Sequence, residues 1–422
     1  MRVLIINATE RRGGPAIAAF RLTEALKASG IRAKMLVLEK ETDCVTTVAI
    51  DKTWRVRREL RRERRIIGWH NKLKKQHRYR LDLGIAGCDI TGLPEYRQAD
   101  VVHLHWTCDG MISLDMIQHI VQSGKPVVWT MHDMWPFTGI CHYAHDCENY
   151  MQQCSQCFQL NSSREHDLSY RYFERKRELL TKSSIRFIAC SHWLEDMARK
   201  STLLRGQHIT CIPNAVSTKL FCPHDKKKVR ATLQLPADRR LLLFTSEQLA
   251  ERRKGLTYLV QATQELVKNH PEWADRMALV VTGKTEGATT LLADVPFPVY
   301  TLGYITDEHQ MALIMSAVDI YTIPSLQDNL PNTVVEAMAC GIPCIGFNVG
   351  GIPEMIDHLH NGYIAEPRDS SGLAEGIHWL LTEGDYDMLS RQALRKAQTT
   401  YSETSVAAAH IAIYNSITNK DE

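Results

Sequence analysis

Short apolar, β-rich runs alternate with helical patterns along the chain, and the whole series is gone through twice. The first series has the runs Val3–Asn7, Ala33–Leu38, Val101–His105, Val127–Thr130, Ile185–Ala189 and His208–Ile212. Helical stretches such as Pro15–Ser29, Leu114–Ser123 and Tyr170–Thr181 lie between them. After Pro213-Asn214 the pattern restarts with Leu241–Thr245, Met277–Thr282, Val299–Leu302, Ile320–Ile323 and Cys344–Phe347. Here the helical stretches are Leu256–Lys268, Asp307–Ala317, Thr333–Cys340 and Ser371–Leu381. Strands joined through helices pair in parallel with both faces covered, so each series predicts an α/β, doubly wound, Rossmann-like domain. The boundary falls near residue 215: residues 1–215, then 216–400, then a closing segment 401–422 whose helix Glu403–Ile417 could pack back on the first domain. Ligands of such sheets bind at the strands' carboxyl ends, which predicts two domains facing a cleft.

A length of 422 residues suits two cores of this size. With 44% hydrophobic and 23% charged residues the chain is globular in composition. No run of about 18 apolar residues is present to span a bilayer, and the apolar start MRVLII is too short for an export signal. The expectation is a cytoplasmic protein whose twelve cysteines are thiols or metal ligands rather than disulfides.

The net charge of +3 conceals an asymmetry. Between Asp51 and Gly84 thirteen Lys/Arg stand against four Asp/Glu, a surplus of nine, so the remainder of the chain carries −6. One basic segment on a mildly acidic protein argues against general nucleic-acid binding and for one local contact. Within it Trp54, Leu60, Ile66, Ile67 and Trp69 are interleaved with arginines, and Lys72, Lys74, Lys75, Arg78 and Arg80 follow. Residues 52–80 could rest as a peripheral helix on anionic headgroups at the inner membrane face, or be a solvated helix with its apolar side in the core.

Several loops have the form of anion sites. After the first strand, Gly13-Gly14-Pro15 opens a helix, which suits backbone N–H groups approaching a phosphate and equally suits an ordinary turn. It is not a G-x-G-x-x-G fingerprint. Lys254-Gly255, with Arg252 and Arg253 beside it, stands between a strand and a helix, where a lysine can meet a diphosphate or simply be solvated. The run from Ser325 to Pro343 holds Asp328 in a loop, Asn332 and Thr333 at a helix start, and Glu336 one turn further. Two carboxylates there can accept from sugar hydroxyls while the amides of Asn332 and Thr333 face phosphate; alternatively Asp328 caps the helix and Glu336 is surface charge.

His132 and Asp133 follow the strand Val127–Thr130, and His103 and His105 end the strand before it. Beyond them Cys141, Cys147, Cys154 and Cys157 are separated by five, six and two residues, a form compatible with tetrahedral zinc, with free thiols or with two disulfides. Closed four-sulfur ligation would be structural and would fix the loop that carries His132.

The run PSLQDNLPNTVVEAMACGIPCIGFNVGGIPEMI resembles the signature of glycosyltransferase family 4, retaining enzymes of the GT-B fold, and the resemblance extends from Met1 to about Ala397. It implies a nucleoside diphosphate sugar donor, with no Mg²⁺ requirement. Asp328 and Glu336 match the family's two acids separated by seven residues, with aspartate where glutamate is usual. Lys254 matches the diphosphate lysine. Gln248 stands where many members carry arginine, so Arg252 or Arg253 would substitute. Tyr304 falls where a loop lines the base pocket, and His132 where a histidine reaches the donor. The stretch WTMHDMWPFTGICHYAHDCENYMQQCSQC is similar to a subset from exopolysaccharide and capsule clusters, including the colanic acid type, although Phe158 replaces a frequent proline. The implied reaction is hexosyl transfer to a saccharide or lipid-linked saccharide in exopolysaccharide, capsule, O-antigen or other lipopolysaccharide assembly. The alternatives are a nucleotide-sugar epimerase of the same fold and a non-catalytic, zinc-stapled scaffold of an assembly complex.

Overall fold

The computed structural model describes residues 1–71 and 81–418. The chain forms two compact units, Met1–Ala215 together with Val406 onward, and Val216–Ser405. In the first unit the strands are β1 (Arg2–Ile6), β2 (Arg32–Val37), β3 (Thr47–Ala49), β4 (Val101–Leu104), β5 (Val127–Met131), β6 (Arg186–Ala189) and β7 (His208–Cys211). They form one all-parallel sheet in the order β3-β2-β1-β4-β5-β6-β7. Its helices are α1 (Gly14–Ala28), α2 (Trp54–His70), α3 (Pro94–Gln98), α4 (Leu114–Gln122), α5 (Leu168–Thr181) and α6 (His192–Lys200).

The second unit begins with α7 (Lys226–Thr232), β8 (Arg240–Gln248), α8 (Leu256–Asn269), α9 (Trp273–Arg276) and β9 (Met277–Lys284). It continues through α10 (Thr289–Ala293), β10 (Val299–Thr301), α11 (Glu308–Ala317), β11 (Ile320–Ile323), α12 (Asn332–Ala339) and β12 (Cys344–Phe347). It ends with α13 (Ile352–Met355), β13 (Gly362–Ala365), α14 (Ser370–Thr382) and α15 (Tyr386–Thr400). Its six parallel strands run β10-β9-β8-β11-β12-β13. The last helix, α16 (Glu403–Thr418), returns to the first unit, where Val406, Ala407 and Tyr414 join a core with Val3, Ile5 and Met35.

Both sheets are parallel, with a helix in every connection except the short link 38–46 from β2 to the edge strand β3, and the central strands are buried on both sides. All four residues of β4, β11 and β12 are buried. Two strands were not expected. β3 is three residues long and β13 reads GYIA, so neither offers an apolar run above its surroundings. Both are edge strands completed by pairing with an established neighbour.

Each sheet has one point where the strand order reverses. In the first it lies between β1 and β4, and in the second between β8 and β11. Connections leave such a point in opposite directions, which opens a crevice beyond the strands' carboxyl ends. Those ends carry the residues considered next.

Candidate functional site

In the second unit the loop after β8 is pressed against the loop after β11. Gly255 ends the turn at Arg252–Lys254 with φ +76, and a Cβ there would run into the Pro324 carbonyl oxygen. Only glycine accepts both the positive φ and the approach. Leu326 N donates to Arg253 O at 2.7 Å, and Arg253 Nη1 donates to Gln327 O at 2.8 Å. Gly350 closes the other side, because its Cβ position is taken by the Asp328 carbonyl oxygen. We expect Gly255→Ala to destabilise this unit by roughly 3 kcal/mol, since backbone rather than a flexible side chain blocks the new methyl. A thermal midpoint within a degree or so of the parent would contradict that packing.

The folding of these loops brings Lys254 Nζ to 2.6 Å from Asp328 Oδ2, with Arg253 Nη1 at 3.4 Å and Ser325 Oγ at 3.2 Å. Asp328 is buried. Burial pushes its carboxyl up, but the Lys254 ammonium and the Arg253 guanidinium outweigh burial, and it ends below the ordinary aspartate value. Thus two predicted site residues form a part-buried ion pair, and Asp328 is not a helix cap. The N-cap of α12 is Pro331, which makes no side-chain cap bond. The first turn of α12 therefore begins with amides unclaimed by a cap side chain, at the end of the helix that favours negative charge.

Thr333 Oγ1 accepts from Tyr321 Oη at 2.6 Å, so its hydroxyl anchors α12 to β11 and its amide is the part aimed at the crevice end. Glu336 lies one turn on and is buried, not surface charge. Arg252 lies in the same turn as Lys254. Gln248 pairs in register with Lys284 at the ends of β8 and β9. Tyr304 is 41% exposed after Gly303, with Lys284 Nζ 5.1 Å from its ring centroid. Lys284 is a cation at a strand's carboxyl end that sequence reading passed over; no motif marks it.

In the first unit the switch point is bounded by the Gly13-Gly14 turn after β1 and by His105 after β4. Gly13 is the N-cap of α1 and offers no side chain, so that helix start is also uncapped. Asn7 ties the two sides together: its Oδ1 accepts from Trp106 N at 3.0 Å and its Nδ2 donates to Thr9 O at 2.8 Å. His132 Nε2 lies 2.9 Å from His105 Nδ1, and His132 Nδ1 lies 3.6 Å from Cys190 Sγ. Both ring nitrogens are thus engaged inside this unit. Burial lowers the His132 imidazole to about 4, only partly countered by Asp133, so it is neutral near pH 7.

Asp133 organises the following loop. It accepts from Trp135 N at 2.8 Å, from Trp106 Nε1 at 3.2 Å and from His142 Nδ1 at 2.7 Å. Burial acts against both charges of the Asp133–His142 pair, yet their mutual attraction holds the carboxyl low and the imidazole high. His142 and Trp106 had no sequence signal of their own, since a carboxylate's partners across nine and 27 residues are set only by folding.

The four loop cysteines are gathered together: Cys141 feels Cys157 and Cys147, and Cys154 feels Cys141, Cys147 and Cys157. A tetrahedron with Zn–S bonds near 2.3 Å has sulfurs about 3.8 Å apart. Among the described residues the metal-type set with ligand atoms within 4.8 Å of one another is His192, Glu195 and Cys211, and it includes none of the four. All four are free cysteines, so two disulfides are not formed either. Burial pushes the Cys141 thiol up to about 12 and Cys157 to about 11, while Cys154 accepts from Gly139 N at 3.3 Å. The geometry gives a Cys141–Cys147–Cys154–Cys157 metal centre no support, and as thiols these side chains pack against the core as apolar groups.

The chain matches Glycosyltransferase Family 4 over residues 12–220 and Glycosyl transferases group 1 over residues 239–383. An uncharacterized glycosyltransferase of Haemophilus influenzae is 29% identical over 129 residues, which is 30% of this chain and 36% of that protein. The chain spans about half the length, or less, of several curated relatives that it matches. Among solved structures, Anabaena HepE in complex with UDP-glucose superposes with a TM-score of 0.65 at 14% identity, covering 99% of this chain and 100% of that one. WaaG, a glycosyltransferase involved in lipopolysaccharide biosynthesis, gives 0.65 at 16% identity over 98% and 99%. These likenesses place the two units in the GT-B architecture. With a family match in each unit, the chain belongs to the family 4, group 1 glycosyltransferases.

Proposed function

We propose that the protein transfers a hexosyl group from a nucleoside diphosphate sugar to a hydroxyl of a saccharide or lipid-linked saccharide, with retention at the anomeric carbon. The observation that carries this reading is the Lys254–Asp328 pair at the β8/β11 switch point, beside the uncapped start of α12. A leaving diphosphate gains negative charge as the glycosidic bond to it breaks, and fixed cations with oriented amides stabilise that charge. Lys254, Arg253 and the Asn332 and Thr333 amides supply such groups without a divalent cation, and Arg252 adds positive potential. Asp328 and Glu336 are proposed to accept from hydroxyls of the sugar, Tyr304 to line the base pocket, and His132 to act on the transferred sugar. The Gly13-Gly14 turn is proposed as a second amide donor set. Since Asp328 occupies Lys254 in this structure, donor binding would exchange a carboxylate partner for a diphosphate one.

No helix among the described residues is long and apolar enough to cross a membrane. The assignment to exopolysaccharide, capsule or lipopolysaccharide assembly rests on the cysteine-loop resemblance and on what WaaG is named for. The proposed donor class follows HepE, solved with UDP-glucose.

Thermal denaturation with a panel of nucleoside diphosphate sugars tests the reading. A true donor at 100 times its dissociation constant stabilises the bound unit by about 2.7 kcal/mol, a shift of several degrees. NMR of the product with that donor and an acceptor should show the donor's anomeric configuration kept. Release of isomerised nucleotide sugar without acceptor would replace transfer by epimerisation, and no shift with any nucleotide sugar would remove the donor site.

A further inference from the structure

We infer that the outward face of α2 is a docking surface for a lipid bilayer rich in anionic headgroups. The inference does not depend on which sugar is transferred. Helix α2 has two opposite sides. Val56, Glu63, Ile67 and Gly68 are buried. Glu63 is anchored, its carboxylate accepting from the amides of Leu83 at 2.9 Å and Ile85 at 3.1 Å. A Cβ at Gly110 would touch Val56 and Leu60, which places that turn against the same side. These contacts fix the rotation of the helix on its unit.

The opposite side is left to solvent. Trp54, Arg58, Arg61, Arg65 and Trp69 follow one another at steps of four, three, four and four residues, so they share one line along the helix. Trp54 is 72% exposed and Trp69 is 79% exposed, among the largest exposures of any big hydrophobic side chain in the protein. Arg58, Arg61, Arg62 and Arg65 are exposed, and none forms an ion pair with a carboxylate among the described residues. Arg58 lies over the Trp54 ring at 5.0 Å. The sequence reading that put the apolar residues of this segment in the core thus holds for Ile67 and fails for both tryptophans.

An unpaired arginine row costs self-repulsion and two solvated indoles cost hydration, so this face needs a partner that meets both groups together. Indoles settle at the headgroup level, with the ring among acyl carbons and the N–H near water, while arginines at the same depth meet phosphates. The two tryptophans stand roughly 22 Å apart at 1.5 Å per residue, along a single outward line that a plane can touch throughout. A nucleic acid would engage the arginines but gives the end tryptophans nothing that their spacing requires. The remaining basic residues of the segment, Lys72, Lys74, Lys75, Arg78 and Arg80, lie outside the described residues.

The test is co-sedimentation of the full chain with vesicles of phosphatidylcholine alone and of phosphatidylcholine with one-third phosphatidylglycerol. Binding is expected only to the second and should fall with added salt. The combined variant Arg58→Gln, Arg61→Gln, Arg65→Gln should weaken it by about 100-fold, roughly fivefold for each arginine removed from the surface. Brominated acyl chains should quench the parent's tryptophan emission, with the quenching lost in Trp54→Phe, Trp69→Phe. All five side chains point to solvent, and unchanged circular dichroism and thermal midpoint confirm that the variants fold. Equal binding to both vesicle types, or undiminished binding by the arginine variant, would overturn the proposal. So would binding to single-stranded RNA that the arginine variant abolishes, together with no vesicle binding by the parent.

Discussion

Lys254→Ala is expected to lower kcat/KM by about 10²–10³-fold, the usual cost of removing one fixed donor from a site where leaving-group charge develops. The same substitution should weaken UDP binding by about 10- to 100-fold, because a charge-assisted hydrogen bond to phosphate contributes roughly 1.5–3 kcal/mol. Asp328→Asn is expected to split these effects. It releases Lys254 from its 2.6 Å partner, so UDP should bind as well or better while turnover falls with the lost hydroxyl contact. Lys254→Ala alone leaves a buried carboxylate with Arg253 at 3.4 Å as its cation and Ser325 Oγ at 3.2 Å as its donor, which costs stability. The double variant Lys254→Ala, Asp328→Asn removes that charge and keeps the comparison open. Titration calorimetry with UDP checks both arms, and unchanged affinity in Lys254→Ala would remove Lys254 from the diphosphate site.

The elements that position Lys254 were legible because their signals are local. A strand followed by a loop with Lys-Gly before a helix, and a strand followed by Asp, Asn-Thr and Glu, each show in a window of about 20 residues. The ion pair between them was not legible. It joins residues 74 apart, and it forms because β8 and β11 are neighbours in the sheet although β9 and β10 intervene in sequence. Burial was misjudged in both directions by the same limitation. Glu336 could be read as surface charge because helical spacing does not say which face meets a second layer. Trp54 and Trp69 could be read as core because hydrophobicity alone favours the interior. For the cysteines, spacing in the chain showed that Cys141, Cys147, Cys154 and Cys157 belong together but not how far apart their sulfurs would lie. Asp133 illustrates the remainder: its position after a strand was visible, but its partners Trp106 and His142 come from separate loops.

Acid is expected to unfold the first unit before the second, through four imidazoles, three of them buried and that of His132 partly exposed. His103 at the end of β4, His105 just beyond it, His132 after β5 and His410 on α16 form a contiguous group. Ring centroids lie 4.4 Å apart for His103–His105, 5.1 Å for His105–His132 and 5.6 Å for His103–His410. Tyr414 Oη and Thr130 Oγ1 bond His103 and Cys190 lies on His132, all neutral groups, while Asp133 is the one carboxylate that acts on His132 and only partly counters its burial. The Nε2 atoms of His105 and His410 are buried without a hydrogen-bond partner, so no acceptor awaits an added proton there. Burial lowers all four, to about 4 for His132 and His410.

The native unit therefore holds them neutral while the unfolded chain takes up protons below about pH 6.5. Their contribution is fully present above that value and is lost as pH falls toward about 4, at up to roughly 5 kcal/mol per pH unit for four groups. The loss accumulates as pH falls through this window, against the marginal stability of a domain. Asp133 and His142 do not offset this. His142, raised by its partner, is protonated in both states below about pH 6.5, and Asp133 takes up its proton only below the ordinary aspartate range. No histidine of the second unit is buried. Six of the eight tryptophans, at positions 54, 69, 106, 129, 135 and 193, belong to the first unit, so their emission reports it. We expect an emission transition between about pH 5.5 and 4.5 with an apparent uptake of about three protons, four on the imidazoles less the one that Glu63, raised to about 8 by burial and by Asp82, already carries in the folded unit. His410→Leu, which also removes an unpartnered buried nitrogen, should move that transition to lower pH and reduce the uptake by about one proton. A single transition of both units below pH 4, or an uptake of one proton or less, would show that the histidine group does not control the acid stability of this unit.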